Sequence, residues 1–180
     1  MNWKTLSSKY ISDHIYFTAR VDRCERPDGS IVDPYFVVEL PTSVCAMALT
    51  ETNEVILVKQ YRHPIEETLL ELPGGFIDEG EDAETAIARE LLEETGYSFS
   101  TFTNLGKVAA NPGVLNNYTH LFLATGGKKV AEQALDKNED IEIGFYSLDD
   151  VRNMLTQNEI KQALHVACLY KGFERLNVEG

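Results

Sequence analysis

Glu90, Glu93 and Glu94 stand three and four residues apart, with Arg89 directly before them. On a helix of 3.6 residues per turn this spacing gathers the three carboxylates on one face. Arg89 lies four residues before Glu93, so its guanidinium can pair with that carboxylate and hold it in place. Carboxylates spaced this way repel one another in an isolated helix, and the patch costs stability unless a cation sits on it. Hard oxygen ligands suit Mg²⁺ or Mn²⁺. Upstream stand Gly74 and Gly75. A glycine pair lets backbone approach closely and exposes a carbonyl, that of Gly74, able to join a metal shell. The plain alternative is a solvated acidic helix face. It explains neither the glycine pair, nor the arginine, nor Gly96 at the end of the pattern.

The elements that must position these groups follow from periodicity. A helix is expected from about Asp82 to Thr95, ended by Gly96, since glycine tolerates the left-handed backbone of a helix C-terminus. Ala88, Leu91, Leu92 and Thr95 fall opposite the carboxylates, as a face that can bury. "HIYFTARVDRCERPDGSIVDPYFVVEL" reads as two strands around a turn at Pro27-Asp28-Gly29. "SVCAMAL" and "EVILVKQYR" read as a second pair joined by "TETNE". "LLELPGGFI" reads as a short strand ending in glycine, and "NLGKVAA", "THLFLATGG" and "DIEIGFYSL" as further strands. "LDDVRNMLTQ" and "NEIKQALHVACLYKGFERL" close the chain as helices. Strands and helices mix without regular alternation, which predicts an α+β fold or a mixed α/β sandwich. Residues 1–40 read as a small separate antiparallel sheet ahead of a main domain at 41–180.

The chain has 180 residues, 43% hydrophobic and 25% charged, with a formal net charge of −13. That is ordinary composition for a globular protein with a sizeable core. The acidity argues against nucleic acid as a partner. It also repels a phosphate substrate unless cations intervene. No apolar run approaches membrane-span length, and the N-terminus lacks the apolar core of a secretory signal. Cys24, Cys45 and Cys168 are scattered and odd in number, so a reducing cytoplasm is the expected compartment. His14, His63, His120 and His165 form no cluster at ligand spacing and read as structural or incidental.

Gly75, Glu81, Arg89, Glu90, Leu91, Glu93, Glu94, Gly96 and Tyr97 fall in register with G-x5-E-x7-R-E-U-x-E-E-x-G-U, where U is a bulky apolar residue. The stretch resembles the Nudix box, with Tyr97 mildly atypical at a position more often aliphatic. "VILVKQYRHP", "LLELPGGFIDEGE" and "NEDIEIGFYSLDDV" extend the resemblance to ADP-ribose and nucleoside-diphosphate-sugar pyrophosphatases, as does Pro112 beyond the box. The resemblance implies an α/β/α sandwich, the Nudix fold, and cleavage of a pyrophosphate bridge to a nucleoside monophosphate and a sugar phosphate. It implies a homodimer formed through the N-terminal strands.

By the same resemblance Glu90 and Glu94 look like the metal ligands, helped by the Gly74 carbonyl. Arg89 looks like an orienting residue and Glu81 a structural or outer one. Glu93 on the helix looks like a further metal ligand or the general base, and Glu139 in the loop "DKNEDIE" is the other candidate base. Arg62 resembles a phosphate-facing arginine, against the alternative of a surface salt bridge, and Glu71 is a substrate or supporting contact. Tyr16, Phe17, Tyr35 and Phe36 are candidates to stack a nucleobase. One departure stands out. ADP-ribose enzymes often carry an acidic residue soon after the post-box proline, where this chain has Asn116 and Asn117. Other nucleoside-diphosphate sugars, dinucleotides and a non-catalytic Nudix-fold regulator remain as alternatives.

Overall fold

The computed structural model describes residues 1–14, 17–135, 137 and 140–179, and these divide into two units. The first comprises residues 1–41 and 109–118. Strands β1 (Lys4–His14), β2 (Phe17–Glu25) and β3 (Ile31–Glu39) form an antiparallel sheet in that order. The β2–β3 turn forms where the sequence places it. The Asp28 carboxylate accepts the Ser30 N–H at 3.0 Å and the Ser30 hydroxyl at 2.6 Å, and Gly29 takes φ +83°. Strand β1 goes beyond the sequence reading. It is almost wholly exposed, and its apolar residues Leu6, Tyr10 and Ile11 follow no strict alternation, so it carries no period of two to read.

Residues 109–118 return to β3 within this unit. Val38 N–H donates to the Val114 carbonyl at 2.8 Å, and the Tyr35 hydroxyl to that of Gly113 at 3.0 Å. The two asparagines at the departure from the family pattern bond backbone here. Asn116 Oδ1 accepts from Leu40 N at 3.0 Å, and Asn117 Nδ2 donates to the Pro41 carbonyl at 2.9 Å. A carboxylate at 117 could not make the second bond.

The second unit, 42–108 and 119–180, holds a seven-stranded sheet. Its strands are β4 (Ser43–Thr50), β5 (Val55–Arg62), β6 (Glu67–Glu71), β7 (Tyr97–Ser98), β8 (Thr101–Val108), β9 (Thr119–Lys129) and β10 (Ile141–Tyr146). The order is β10-β5-β4-β9-β7, with β6 on β5 and β8 on β9. Only β4 and β9 run parallel among these pairs. The helices are α1 (Ala83–Thr95), α2 (Leu148–Thr156) and α3 (Ala163–Glu179). Alternation along β4 and β9 sorts the core. Val44, Ala46, Ala48, Phe122 and Ala124 pack with Ala86, Ile87 and Leu91 of α1. Cys45, Met47, Leu49, Leu121 and Leu123 pack with Val151 of α2 and Cys168, Leu169 and Phe173 of α3. Both faces are covered, which gives the α/β/α sandwich and explains the continuous apolar runs of these strands. No described helix is long and apolar enough to cross a membrane.

Three local expectations need correction. Strand β6 stops at Glu71, before the glycines, because Pro73 has no N–H to extend the β5 ladder. Helix α3 starts at Ala163; Ile160, expected within it, is buried in the preceding segment. On α1 the buried stripe runs through Ala86, Ile87, Leu91, Glu94 and Thr95, and Leu92 is exposed. A buried carboxylate needs hydrogen-bond partners, and Glu94 Oε2 finds one in the backbone of the glycine segment, as described below.

Candidate active site

Strands β4 and β5 pair only at Ala48–Ile56 and Leu49–Val55. Beyond that β5 takes β6 as its partner, and the chain after β6 crosses to the first half of β4. Ala46 N donates to the Pro73 carbonyl at 3.1 Å, Val44 N to that of Gly75 at 2.8 Å, and Ile77 N to that of Thr42 at 2.9 Å. Residues 72–77 are thus an extended strap laid along β4. Gly74 takes φ +153°, and a β-carbon there would stand 2.2 Å from the Val44 carbonyl oxygen. Only glycine permits that approach.

Helix α1 follows the strap, and its ends are fixed. Asp82 caps its N-terminus, accepting from Glu84 N and Thr85 N at 3.0 Å each. These bonds hold the Asp82 carboxyl below its ordinary range, led by that from Thr85. Gly96 ends the helix at φ +74°, against the Ala131 carbonyl. With both ends set, the helix presents its charged side chains to the strap in one register.

Arg89 is the hub of that face. Its Nε and Nη2 donate to Glu81 Oε1 at 3.0 Å and Oε2 at 2.9 Å, and Nη2 also reaches the Phe76 carbonyl at 3.0 Å. Nη1 donates to Glu90 Oε1 at 2.9 Å and Glu93 Oε2 at 3.2 Å. The expected pairing with Glu93 is present as one of four ion pairs, the others being with Asp78, Glu81 and Glu90. The guanidinium holds the Glu81 carboxyl below the usual carboxylate range, and the carboxylates push the Arg89 pKa up in turn, Glu81 most. Glu81 also accepts the Asp78 N–H at 3.1 Å, which ties the loop before α1 to the helix.

Two carboxylates meet the glycine pair. Glu94, 5% exposed, accepts the Gly74 N–H at 2.9 Å. The Glu90 carboxylate lies against Gly75, so closely that a β-carbon there would stand 2.4 Å from Oε1. Glu93 is more open, its side chain 43% exposed. Among the described residues no group of three or more His, Cys, Asp or Glu side chains stands arranged as a metal site. In this conformation Arg89 and the Gly74 amide engage the carboxylates instead. The donor set is nonetheless all oxygen, anionic and backed by a backbone that glycine lets come close, which fits a hard divalent cation.

Arg62 and Glu71 come together across the β5–β6 hairpin. Arg62 Nε donates to both Glu71 oxygens, at 3.0 and 3.1 Å, and Nη2 closes a fork on Oε2. Glu71 is 1% exposed, while the guanidinium is half-exposed. The salt bridge that was the alternative reading of Arg62 is therefore formed, with a buried partner. Glu139 and Tyr16 lie outside the described residues. In the first unit Phe17 and Phe36 are exposed, and Tyr35 meets Trp3 edge-on.

His165, which the sequence leaves as structural or incidental, has a specific partner. On the first turn of α3, buried, it accepts the Leu72 N–H on Nδ1 at 3.1 Å. Burial pushes its pKa down to about 4, Glu71 opposing and Arg62 reinforcing the shift. Nothing in the local pattern of "KQALHVAC" marks it.

Residues 39–166 match the family described as NUDIX domain, and residues 3–38 match the Nucleoside diphosphate sugar hydrolase N-terminal domain. The chain belongs to the Nudix family. It is 31% identical over 166 residues to an ADP-ribose pyrophosphatase of Bacillus subtilis, covering 89% of each chain. It is 32% identical over 158 residues to a methanol dehydrogenase activator of Bacillus methanolicus, covering 87% of this chain and 85% of that one. A crystal structure of an ADP compounds hydrolase shares the fold, with a TM-score of 0.86 at 22% identity over 100% of this chain and 97% of that one.

Proposed function

We propose that the chain hydrolyses the pyrophosphate bridge of nucleoside-diphosphate sugars of the ADP-ribose class, releasing a nucleoside monophosphate and a sugar phosphate. The observation that carries this reading is the complete box closed on its strap: Glu90 against Gly75, Glu94 on the Gly74 amide, Arg89 among the carboxylates. The B. subtilis relative, similar over nearly its whole length, and the match of the N-terminal residues to a sugar-nucleotide hydrolase family supply the substrate class. A Nudix-fold regulator without turnover would have no need of an intact box.

Glu90, Glu94 and the Gly74 carbonyl would hold Mg²⁺ or Mn²⁺. Pro73 and Gly75 turn their carbonyls to β4, and alternation along an extended chain turns that of Gly74 away from it. Bound there, such an ion would supply charge to offset the bridging phosphates and would lower the pKa of a water it held. Arg89 keeps Glu90 and Glu93 in place. Glu139 or Glu93 takes the proton of the attacking water. Arg62, aimed by Glu71, presents its guanidinium to phosphate, which a planar fork suits. The buried Glu71 carboxylate makes Arg62 a pre-set contact rather than a mobile surface chain.

A homodimer through the N-terminal strands belongs to the same reading. Leu6, Tyr10, Ile11, Phe17 and Phe36 are exposed on that sheet, and the outer edge of β1, which pairs with no further strand among the described residues, invites a partner. Sedimentation at micromolar concentration is expected to give a dimer; an active monomer rules it out. We place the protein in a reducing cytoplasm, where its three buried cysteines stay thiols. A panel of sugar nucleotides, dinucleotides and nucleoside triphosphates, each with Mg²⁺, tests the substrate class. Preference for sugar nucleotides supports it, and preference for triphosphates overturns it.

A further inference from the structure

The strap that carries Gly74 is held from both layers of the sandwich. Its carbonyls at 73 and 75 accept from β4. Two of its amides, at 72 and 74, are taken by side chains: His165 of α3 accepts the first at 3.1 Å, Glu94 of α1 the second at 2.9 Å. Helices α1 and α3 pack on opposite faces of the sheet. Leu72 follows Glu71, the buried partner of Arg62, and precedes Pro73-Gly74. The His165 bond therefore sits between the phosphate-facing pair and the glycine of the carboxylate frame.

We infer that His165 is a positioning residue of this site: by accepting the Leu72 N–H it fixes the segment that carries Glu71 on one side and Gly74 on the other. Imidazole suits the task because a neutral ring offers one acceptor nitrogen and keeps the proton on the other. Accepting on Nδ1 places that proton on Nε2. Burial keeps the ring neutral throughout the physiological range, so the acceptor is always present. Leu72 is itself buried, and an unsatisfied amide in that place would pull the strap out of line to find a partner.

The kinetic arm of the test rests on the hydrolytic reading above; a second arm does not. His165→Leu removes the acceptor at similar size, and His165→Asn places its Oδ1 close to where Nδ1 stands. Amide hydrogen exchange at Leu72 and Gly74, read by NMR, is expected to speed at least about tenfold in the leucine variant and to stay near wild type in the asparagine variant. With ADP-ribose at saturating Mg²⁺, His165→Leu is expected to lose about ten- to a hundredfold in kcat with little change in KM, and His165→Asn to recover most of it. A merely structural histidine would lower the melting temperature in both variants without this split or rescue. Unchanged exchange at Leu72 in a folded His165→Leu protein overturns the inference, as does faster exchange with wild-type kcat. If that variant does not fold, His165→Gln replaces it, its carbonyl carried one carbon too far to meet Leu72, with the same outcomes. Should the wild type cleave no sugar nucleotide, the proposed function fails, and the exchange arm alone decides on His165.

Discussion

The carboxylate of Glu90 lies where the β-carbon of any other residue at position 75 would stand, 2.4 Å from Oε1, 2.5 Å from Cδ and 2.7 Å from Oε2. The backbone at 75 cannot retreat easily, because its carbonyl accepts from Val44 at 2.8 Å. The side chain can. Gly75→Ala is therefore expected to turn Glu90 aside and leave the fold standing, at about a hundredfold or greater loss of turnover. Gly74→Ala is expected to behave otherwise, since its new β-carbon meets the Val44 carbonyl oxygen at 2.2 Å and the backbone is at φ +153°. Melting temperature and kcat of the two variants, measured together, check the contrast. An active Gly75→Ala enzyme would mean that Glu90 does its work from some other position.

Glu94→Gln separates charge from structure. A glutamine oxygen can still accept the Gly74 N–H, so the strap keeps its anchor. The negative charge is gone. Turnover is expected to fall by about two orders of magnitude or more, with the melting temperature within a few degrees of wild type. A large loss of stability with residual activity in proportion would make Glu94 a packing residue only.

The base is decided by a pair of variants. Glu139→Gln is expected to lower kcat by roughly two to four orders of magnitude with little change in metal affinity. Glu93→Gln disturbs one arm of the Arg89 hub as well, and is expected to weaken metal binding and stability more. If Glu139→Gln turns over near the wild-type rate and Glu93→Gln does not, the base is on the helix.

His165 gives stability a pH dependence with a definite sign. In the unfolded chain it titrates near 6.5 and in the folded protein near 4. Between these values the unfolded chain binds the extra proton. The contribution is therefore complete above about pH 6.5, declines as pH falls toward 4, and changes no further below. Its size is about 3 kcal/mol by the usual conversion of pKa difference to free energy. Glu71 and Arg62 face the same ring and are common to wild type and variant. Between pH 7 and pH 4 the denaturant midpoint of wild type is expected to fall relative to that of His165→Asn, which lacks the titrating ring. Parallel curves would contradict the neutral, buried state.

The parts of the site legible in the sequence are those made by neighbours in the chain. The helix start near Asp82, the Gly96 stop and the Arg89–Glu93 pair follow from the pattern of one helix, and the structure holds all three, with Asp82 as the cap. The rotation of that helix is different. The stripe centred on Ile87 and Leu91, with Leu92 outside and Glu94 inside, depends on the strap that meets it. His165 and Leu72 are 93 residues apart, and no local pattern links them. Strand β1 escapes for the opposite reason. With little of it buried it has no periodicity to show, and its pairing with β2 is what makes it a strand.

Phosphorus NMR of ADP-ribose incubated with the protein and Mg²⁺ puts the central claim to its most direct test. The expected record is loss of the pyrophosphate resonances and growth of two phosphomonoester resonances in equal amount. The reaction should stop in excess chelator and be abolished or slowed by orders of magnitude in Glu94→Gln. Intact pyrophosphate signals for ADP-ribose and for every other sugar nucleotide tried, or cleavage that persists undiminished in chelator or in Glu94→Gln, would contradict it.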